Sequence, residues 1–111
     1  MEFLNKIELK GYVGHVDTTK VGDTKYIRFS VCTEYAFNSI NGDAVIENTW
    51  HNCAAWANSV PDAENIKKGD AVYVSGRLRA FRYTTPDGGE SRGYEVMVRR
   101  LSVIATDTSL A

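Results

Sequence analysis

The sequence predicts an all-β domain, a small five-stranded barrel with one short helix between the third and fourth strands. Apolar and polar residues alternate with a period of two through most of the chain, as they do in strands that bury one face. Only one short segment, which follows the third alternating run, has the pattern of a helix. The length of 111 residues suits one compact domain.

The first two strands are predicted in the N-terminal part of the chain. Alternation over residues 7–13 predicts strand 1. Residues 15–23 are polar and end in Gly22-Asp23, which predicts a loop closed by a turn. Alternation resumes over residues 26–33 and predicts strand 2. An Asn-Gly pair within residues 38–43 predicts the tip of the next loop.

The remaining three strands are predicted on either side of the helix. Strand 3 covers about residues 46–56, strand 4 about residues 70–83 and strand 5 about residues 94–104. A turn is predicted between the last two strands, where the sequence reads Thr-Pro-Asp-Gly-Gly over residues 85–89.

Residues 59–68 have the features of a capped helix. Ser59 can cap its start, and Pro61 suits the first turn because its missing N–H would be unpaired there anyway. Acidic residues follow Pro61, two lysines lie near the end, and Gly69 suits the exit. Three strands, a short helix and two strands are the order of the OB-fold, a Greek-key barrel that binds oligonucleotides across one face. A five-stranded sandwich without a ligand is the alternative.

The domain is predicted to cover residues 1–105, and residues 106–111 are predicted to form a short flexible tail. The net charge of −1 gives no global basic field, but six of the seven arginines lie in the last third of the chain. A local basic face can bind phosphates in a nearly neutral chain, although a solvated surface of mixed charges would have the same composition. These arginines are Arg77, Arg79, Arg82, Arg92, Arg99 and Arg100.

Several functions are excluded by what the sequence lacks. Cys32 and Cys53 have no CxxC or Cys/His spacing, so we expect two reduced thiols, no disulfide and no metal. The only histidines, His15 and His51, belong to no catalytic motif, which predicts a protein that is not an enzyme and needs no cofactor. No apolar run approaches the roughly 18 residues of a membrane helix, so we expect a cytoplasmic protein.

Two tryptophans on strand 3 suggest a stacking surface. Trp50 and Trp56 are six residues apart and therefore share one face of a strand, together with Asn52. A polar residue between them indicates that this face is wet, so we expect both rings to be partly exposed in one groove. Exposed aromatic rings bind single-stranded nucleic acid because every base has a π-face. The alternative is that both rings belong to the core, where large apolar residues usually lie.

Arginine and aromatic residues also alternate along the end of strand 4, where they offer phosphate contacts and base stacking together. The alternative is an edge hairpin whose charges prevent edge-to-edge aggregation. One face is predicted to carry Arg77, Arg79 and Phe81, and the other Leu78, Ala80 and Arg82.

Four segments carry a resemblance to a known family. They are residues 5–14 (NKIELKGYVG), 49–51 (Thr-Trp-His), 55–57 (Ala-Trp-Ala) and 67–79 (KKGDAVYVSGRLR). Through them, residues 3–104 resemble the bacterial single-stranded DNA-binding proteins of the replication type. The resemblance implies sequence-independent binding and protection of single-stranded DNA in replication, recombination and repair.

The resemblance also implies roles for individual residues. It assigns base stacking to Trp50, Trp56 and Tyr83, with Tyr35 or Phe37 as a further aromatic. It assigns phosphate or base contacts to Lys6, His51, Arg79 and Arg82, and the arginine-rich strand adds Arg77 as a candidate.

The same resemblance predicts the oligomeric state and the protein partners of this chain. Such proteins pair through their first strand, so we expect a homotetramer or otherwise a dimer. The family usually ends in an acidic segment that recruits replication and repair proteins, and this sequence ends at Ala111 without one, so recruitment of such partners is doubtful. The alternative function is that of an OB-fold replication-restart accessory, similar to primosomal replication protein N, which acts mainly through protein partners.

Overall fold

Five strands close into a barrel in the computed structural model, which describes residues 1–106. Around the barrel the order is β1-β2-β3-β5-β4, and β4 returns to pair with β1. All neighbours are antiparallel except β3 and β5, which pair in parallel. The predicted five-stranded OB-fold is confirmed. Its strands are β1 Ile7–Val21, β2 Thr24–Asn38, β3 Ala44–Trp56, β4 Ala71–Thr84 and β5 Glu90–Ala105. Apart from Thr106, the predicted C-terminal tail lies outside the described residues.

The first strand is longer than the sequence predicted. The loop predicted over residues 15–23 is wrong for residues 15–21, which continue β1 and pair with β2 up to Val21↔Thr24. Val13 pairs with Val31 but Val16 pairs with Phe29, so β1 contains one extra residue between them. This bulge breaks the period-two pattern.

The other strands also extend further into the hairpins than predicted, because hydrogen bonds between strands satisfy the backbone of polar segments as well as apolar ones. The β2–β3 ladder continues to Asn38↔Ala44, and the β4–β5 ladder continues to Thr84↔Glu90. Two arms therefore extend beyond the barrel. The β2–β3 arm comprises residues 33–38 and 44–49, and the β4–β5 arm comprises residues 78–84 and 90–95. Because β3 and β5 are parallel and both begin in an arm, the two arms project from the same end of the barrel.

The predicted helix over residues 59–68 is shorter and of a different type. The structure has one 3-10 helix, η1, at Pro61–Asn65, and Ser59 makes no capping hydrogen bond there. The buried residues Val60, Ala63 and Ile66 recur every three positions. This spacing suits the three residues per turn of a 3-10 helix better than the 3.6 of an α-helix, and it seals one side of the core.

The core fills the inside of the barrel with alternate residues of each strand. β-Branched side chains dominate it, as expected for a small barrel whose walls are all strands. The largest fully buried apolar side chains are Ile27, Val31, Val72, Val74 and Cys53. Residues of the opposite parity point outward and form the surfaces discussed below.

Candidate nucleic-acid interface

The outer face of β2 and β3 carries both tryptophans. Trp50 is 59% exposed, Asn52 is exposed and Trp56 is half-buried, all on one side of the sheet. The prediction that both rings are partly exposed on one face is confirmed, and the alternative that they belong to the barrel core is wrong. This outer side of the barrel is called the groove face below.

Trp50 occupies a notch made by a glycine. A Cβ atom placed on Gly14 would lie 2.3 Å from the Trp50 ring, so only glycine leaves room for the ring in this position. Gly14 follows directly after Val13 in the bulged part of β1. A surface pocket of about 540 Å³ lies beside the ring, between His15, Ser30 and Lys68.

Trp56 is held at the other end of the groove face by Tyr26. The two rings meet edge to face with their centroids 4.6 Å apart, and the Arg28 guanidinium lies 5.3 Å from the Tyr26 ring centroid. Edge-to-face packing and a cation over the ring both stabilise such a pair. A pocket of about 380 Å³ opens between these residues and Arg79.

A third pocket, of about 280 Å³, joins the two ends. Its lining includes Asn52 and Phe81. It shares His15 and Ser30 with the Trp50 pocket and Asp17 and Arg28 with the Trp56 pocket. The three pockets therefore form one continuous groove that runs along β1, β2 and β3 between the two tryptophans. The groove contains both aromatic rings and cations, which is the combination that single-stranded nucleic acid requires.

A buried carboxylate lies beneath the centre of the groove. Oε1 of Glu95 accepts hydrogen bonds from Nη2 and Nε of Arg79, at 2.7 and 2.9 Å, and from the Tyr26 hydroxyl at 3.1 Å. Arg79 Nη2 also donates to the Tyr26 hydroxyl at 3.0 Å. The Glu95 side chain is 5% exposed and that of Arg79 is 35% exposed.

This network gives the Arg79 guanidinium hydrogen-bond partners within the protein. The hydrogen bond to Glu95 raises the pKa of Arg79, and burial raises the pKa of Tyr26. The guanidinium of Arg79, for which the resemblance predicted a phosphate or base contact, is paired with the buried Glu95 carboxylate and donates a hydrogen bond to Tyr26. Glu95 was not predicted from the sequence, because its position opposite Arg79 depends on the register of the hairpin.

The remaining predicted residues are divided between several surfaces. Tyr83 lies on the groove side of the β4–β5 arm, with its ring centroid 6.0 Å from that of Phe81, and Arg77 is exposed on the same side. Arg82 lies on the opposite side of the arm. Lys6 lies away from the groove, 3.7 Å from Glu8, in a basic pocket of about 410 Å³ formed with Arg77, Arg99 and Arg100.

Tyr35, Phe37 and His51 alternate with the tryptophan side of the β2–β3 ladder and therefore lie on its other face. The Tyr35 and Phe37 rings are both exposed, with centroids 6.1 Å apart, so they form one aromatic strip. A ring nitrogen of His51 lies 2.8 Å from Oγ1 of Thr33, which fixes the imidazole against β2.

Both cysteines are free thiols. Cys53 is buried, and its burial raises the pKa of its thiol to about 12, so it stays protonated and unreactive near neutral pH. Among residues 1–106, no group of three or more His, Cys, Asp or Glu side chains is arranged to hold a metal ion. Nor does the described part of the chain contain a helix long and apolar enough to cross a membrane.

A family model named "Single-strand binding protein family" matches residues 4–104 of the chain. The chain belongs to this family. The match confirms the resemblance found in the sequence.

Similar members of the family include the single-stranded DNA-binding protein of Neisseria meningitidis serogroup A. It is 29% identical over 104 residues, which are 91% of this chain and 60% of that protein. The Bacteroides thetaiotaomicron protein of the same name is 28% identical over 108 residues, 92% of this chain and 66% of its own length. The chain thus spans about 60% of the length of the first of these relatives.

Solved structures of family members share the fold. The Plasmodium falciparum protein, in a complex with single-stranded DNA, matches with a TM-score of 0.81 and 25% identity over 96% of this chain and 98% of that one. A deletion mutant of the Thermus aquaticus protein matches with a TM-score of 0.74 and 20% identity over 91% of this chain and 50% of that one, which supports the fold alone.

Proposed function

We propose that this family member binds single-stranded DNA without sequence preference and protects it during replication, recombination and repair. The observation that carries the proposal is the continuous groove between Trp50 and Trp56. Bases stack on these two rings and, at the β4–β5 arm, on Phe81 and Tyr83. The protein acts by binding and has no catalytic role.

Phosphates are bound by Arg28 and Lys68, which line the groove, and by Arg77, which lies on the groove side of the β4–β5 arm and lines the Lys6 pocket. None of the three forms an ion pair among residues 1–106, although Asp17 lies opposite Arg28 in the β1–β2 ladder. Arg79 acts differently, because its pairing with Glu95 holds Tyr26 behind Trp56. Lys6, His51 and the Tyr35–Phe37 strip lie outside the groove and are proposed as contacts for a strand that continues beyond it. Arg82 belongs to the surface considered in the next subsection.

A fluorescence titration with oligo-dT at several salt concentrations tests this function. We expect tryptophan quenching, and a log K that falls with log salt by about 0.7 for each phosphate neutralised. Oligomers of mixed sequence should bind similarly, while duplex DNA should bind more weakly because its bases are not available for stacking. Binding that is independent of salt, or equal for duplex and single strand, would contradict the proposal.

We also propose that the protein is a homo-oligomer, a tetramer or otherwise a dimer. β1 pairs with β4 from Ile7 onward, but its pairing with β2 begins only at Tyr12. Residues 7–11 therefore present an edge that no described strand covers, and such an edge is a template for pairing with a second chain. Light scattering at micromolar concentration should report more than one chain per particle. A monomer under these conditions would overturn the proposal.

The alternative, an OB-fold accessory that acts mainly through protein partners, is not favoured by the family match or by the neighbour solved with single-stranded DNA. We further propose recruitment of replication proteins and a cytoplasmic location, which suits the free thiols of Cys32 and Cys53.

A further inference from the structure

The β4–β5 arm has a second face that takes no part in the groove. From Gly76↔Val98 to Thr84↔Glu90 the ladder is regular, so alternate residues lie on opposite sides. Phe81 and Tyr83 lie on the groove face of the arm. The other side, called the reverse face, carries Leu78, Ala80, Arg82 and Thr84 on β4 and Glu90, Arg92 and Tyr94 on β5.

Two arginines lie directly opposite each other on the reverse face. Arg82 and Arg92 are register partners, which places their Cβ atoms about 4.5–5.5 Å apart. Both are exposed, and no carboxylate among residues 1–106 forms an ion pair with either of them. Like charges in this position repel and destabilise a hairpin. The arrangement is therefore suited to an anion that binds between the two guanidinium groups.

The β1–β2 hairpin of the same protein also contains two like charges opposite each other, but there one of the charges is neutralised. Lys20 and Lys25 are also register partners, in the β1–β2 hairpin. Lys25, however, forms an ion pair with Glu64 at 3.0 Å, which neutralises one of the two charges. Glu90 also lies on the reverse face of the β4–β5 arm, but it forms no ion pair among residues 1–106. Arg82 and Arg92 therefore form a like-charge pair in which no carboxylate of residues 1–106 neutralises either charge.

An aromatic ring lies next to the arginine pair. Tyr94 is 54% exposed, and its register partner is Ala80, whose small side chain leaves the ring uncovered. A base can therefore stack on Tyr94 while the adjacent phosphate lies between the arginines. Arginine suits this role because its planar fork donates two hydrogen bonds to one phosphate.

We propose that the reverse face of the β4–β5 arm, through Arg82, Arg92 and Tyr94, is a second contact surface for the same DNA strand that fills the groove. The arm is a ribbon of two strands about 5 Å apart. Asn5 hydrogen-bonds the backbone of Leu78 at the base of the arm, and β5 pairs with β3 at Val96 and Met97, so among the described strands residues 79–84 and 90–95 pair only with each other. A flexible strand that leaves the groove at Phe81 and Tyr83 can cross the edge and continue on the reverse face. This inference rests on the proposed function and adds a second phosphate and base site to it.

The test compares Arg82→Ala/Arg92→Ala with the parent protein on two oligo-dT lengths. The short oligomer fills the groove alone, at the lower end of the roughly 4–16 nucleotides bound by one OB-fold. The long oligomer exceeds that range. For the long oligomer, loss of two phosphate contacts per subunit should reduce the slope of log K against log salt by about 1.4 for each subunit that the oligomer contacts. For the short oligomer, slope and affinity should not change.

Lys20→Ala/Lys25→Ala is the matched control. It removes the same charge from opposed positions of another hairpin, so it should leave the slope on the long oligomer unchanged. Arg82→Lys/Arg92→Lys keeps the charge and should recover most of the slope but not all of the affinity. A slope on the long oligomer that is the same for the parent and the alanine variant overturns the inference. A parent that binds neither oligomer overturns the proposed function as well.

Tyr94 is tested separately, with oligomers that carry photoreactive halogenated uracil. Cross-links to the peptide that contains Tyr94 should form with the long oligomer and be absent with the short one. Tyr94→Ala should weaken binding of the long oligomer by roughly 5- to 150-fold, and Tyr94→Phe should bind like the parent, since stacking needs only the ring. If no cross-link forms at this peptide, or if Tyr94→Ala binds the long oligomer as tightly as the parent, Tyr94 does not contact DNA. If the reverse face instead binds an acidic protein partner, both DNA experiments give the parent's values, and the inference is wrong.

Discussion

Removal of both groove tryptophans, in the variant Trp50→Ala/Trp56→Ala, is expected to weaken binding to oligo-dT by about 2–6 kcal/mol, because stacking on one aromatic side chain contributes about 1–3 kcal/mol per base. The cations of the groove are unchanged in this variant. The slope of log K against log salt should therefore stay close to that of the parent, which separates stacking from phosphate binding. Anisotropy of a labelled oligomer measures both quantities without the lost tryptophan signal.

A substitution at Gly14 provides a control for the position of the Trp50 ring. In Gly14→Ala the new Cβ would meet the end of a flexible side chain, so the ring moves and the barrel does not. Stability should change by less than about 0.5 kcal/mol, whereas Trp50 emission and DNA affinity should both change. If the double tryptophan variant binds as tightly as the parent, the groove is not the site of base stacking.

Loss of the carboxylate beneath the groove should have the largest effect on stability. Glu95→Ala leaves the Arg79 guanidinium partly buried without its partner. Removing one member of a buried ion pair costs about 3–5 kcal/mol, and we expect about 3 kcal/mol because Arg79 is partly exposed. Urea unfolding measures the change as a lower midpoint with an unaltered m-value. Weaker DNA binding should accompany it, since Tyr26 loses a hydrogen bond that positions it against Trp56.

Two further variants isolate the ion pair. Glu47→Ala removes an exposed acid that forms no ion pair within the described chain, and it should change stability by no more than about 0.5 kcal/mol. Arg79→Leu/Glu95→Leu removes both charges together and should cost less than Glu95→Ala, because no charge is left without a partner. Equal stability of Glu95→Ala and Glu47→Ala would show that the network does not support the barrel.

The strand order could be predicted because each strand has one face on the core, and burial produces alternation. The ends of the strands could not be predicted, because the arms do not pack on the core. Their residues therefore need not alternate between apolar and polar. Residues 34–38, for example, are exposed throughout and continue β2 only through their hydrogen bonds to β3. At residues 15–21 the bulge after Val13 added a second obstacle, because it changes the parity of the inward positions.

The candidate site could be predicted where strand parity alone decides it. Trp50 and Trp56 share a face of one strand, so their exposure followed from Asn52 between them. The Arg79–Glu95 pair depends on which residues of two strands lie opposite each other, and the register of a hairpin is not fixed by either strand alone. For the same reason, the pairing of Arg82 with Arg92 becomes visible only in the folded ladder.

The absence of buried side chains along residues 34–38 has a thermodynamic consequence for the β2–β3 arm. Segments with few buried contacts open locally at a lower free energy than the whole domain, so amide protons there should exchange faster than those of the barrel strands. A ligand that binds only the ordered arm stabilises it by an amount that grows with the logarithm of ligand concentration. The fraction of protein that has DNA bound and the order of the β2–β3 arm therefore rise together as the concentration of single-stranded DNA increases.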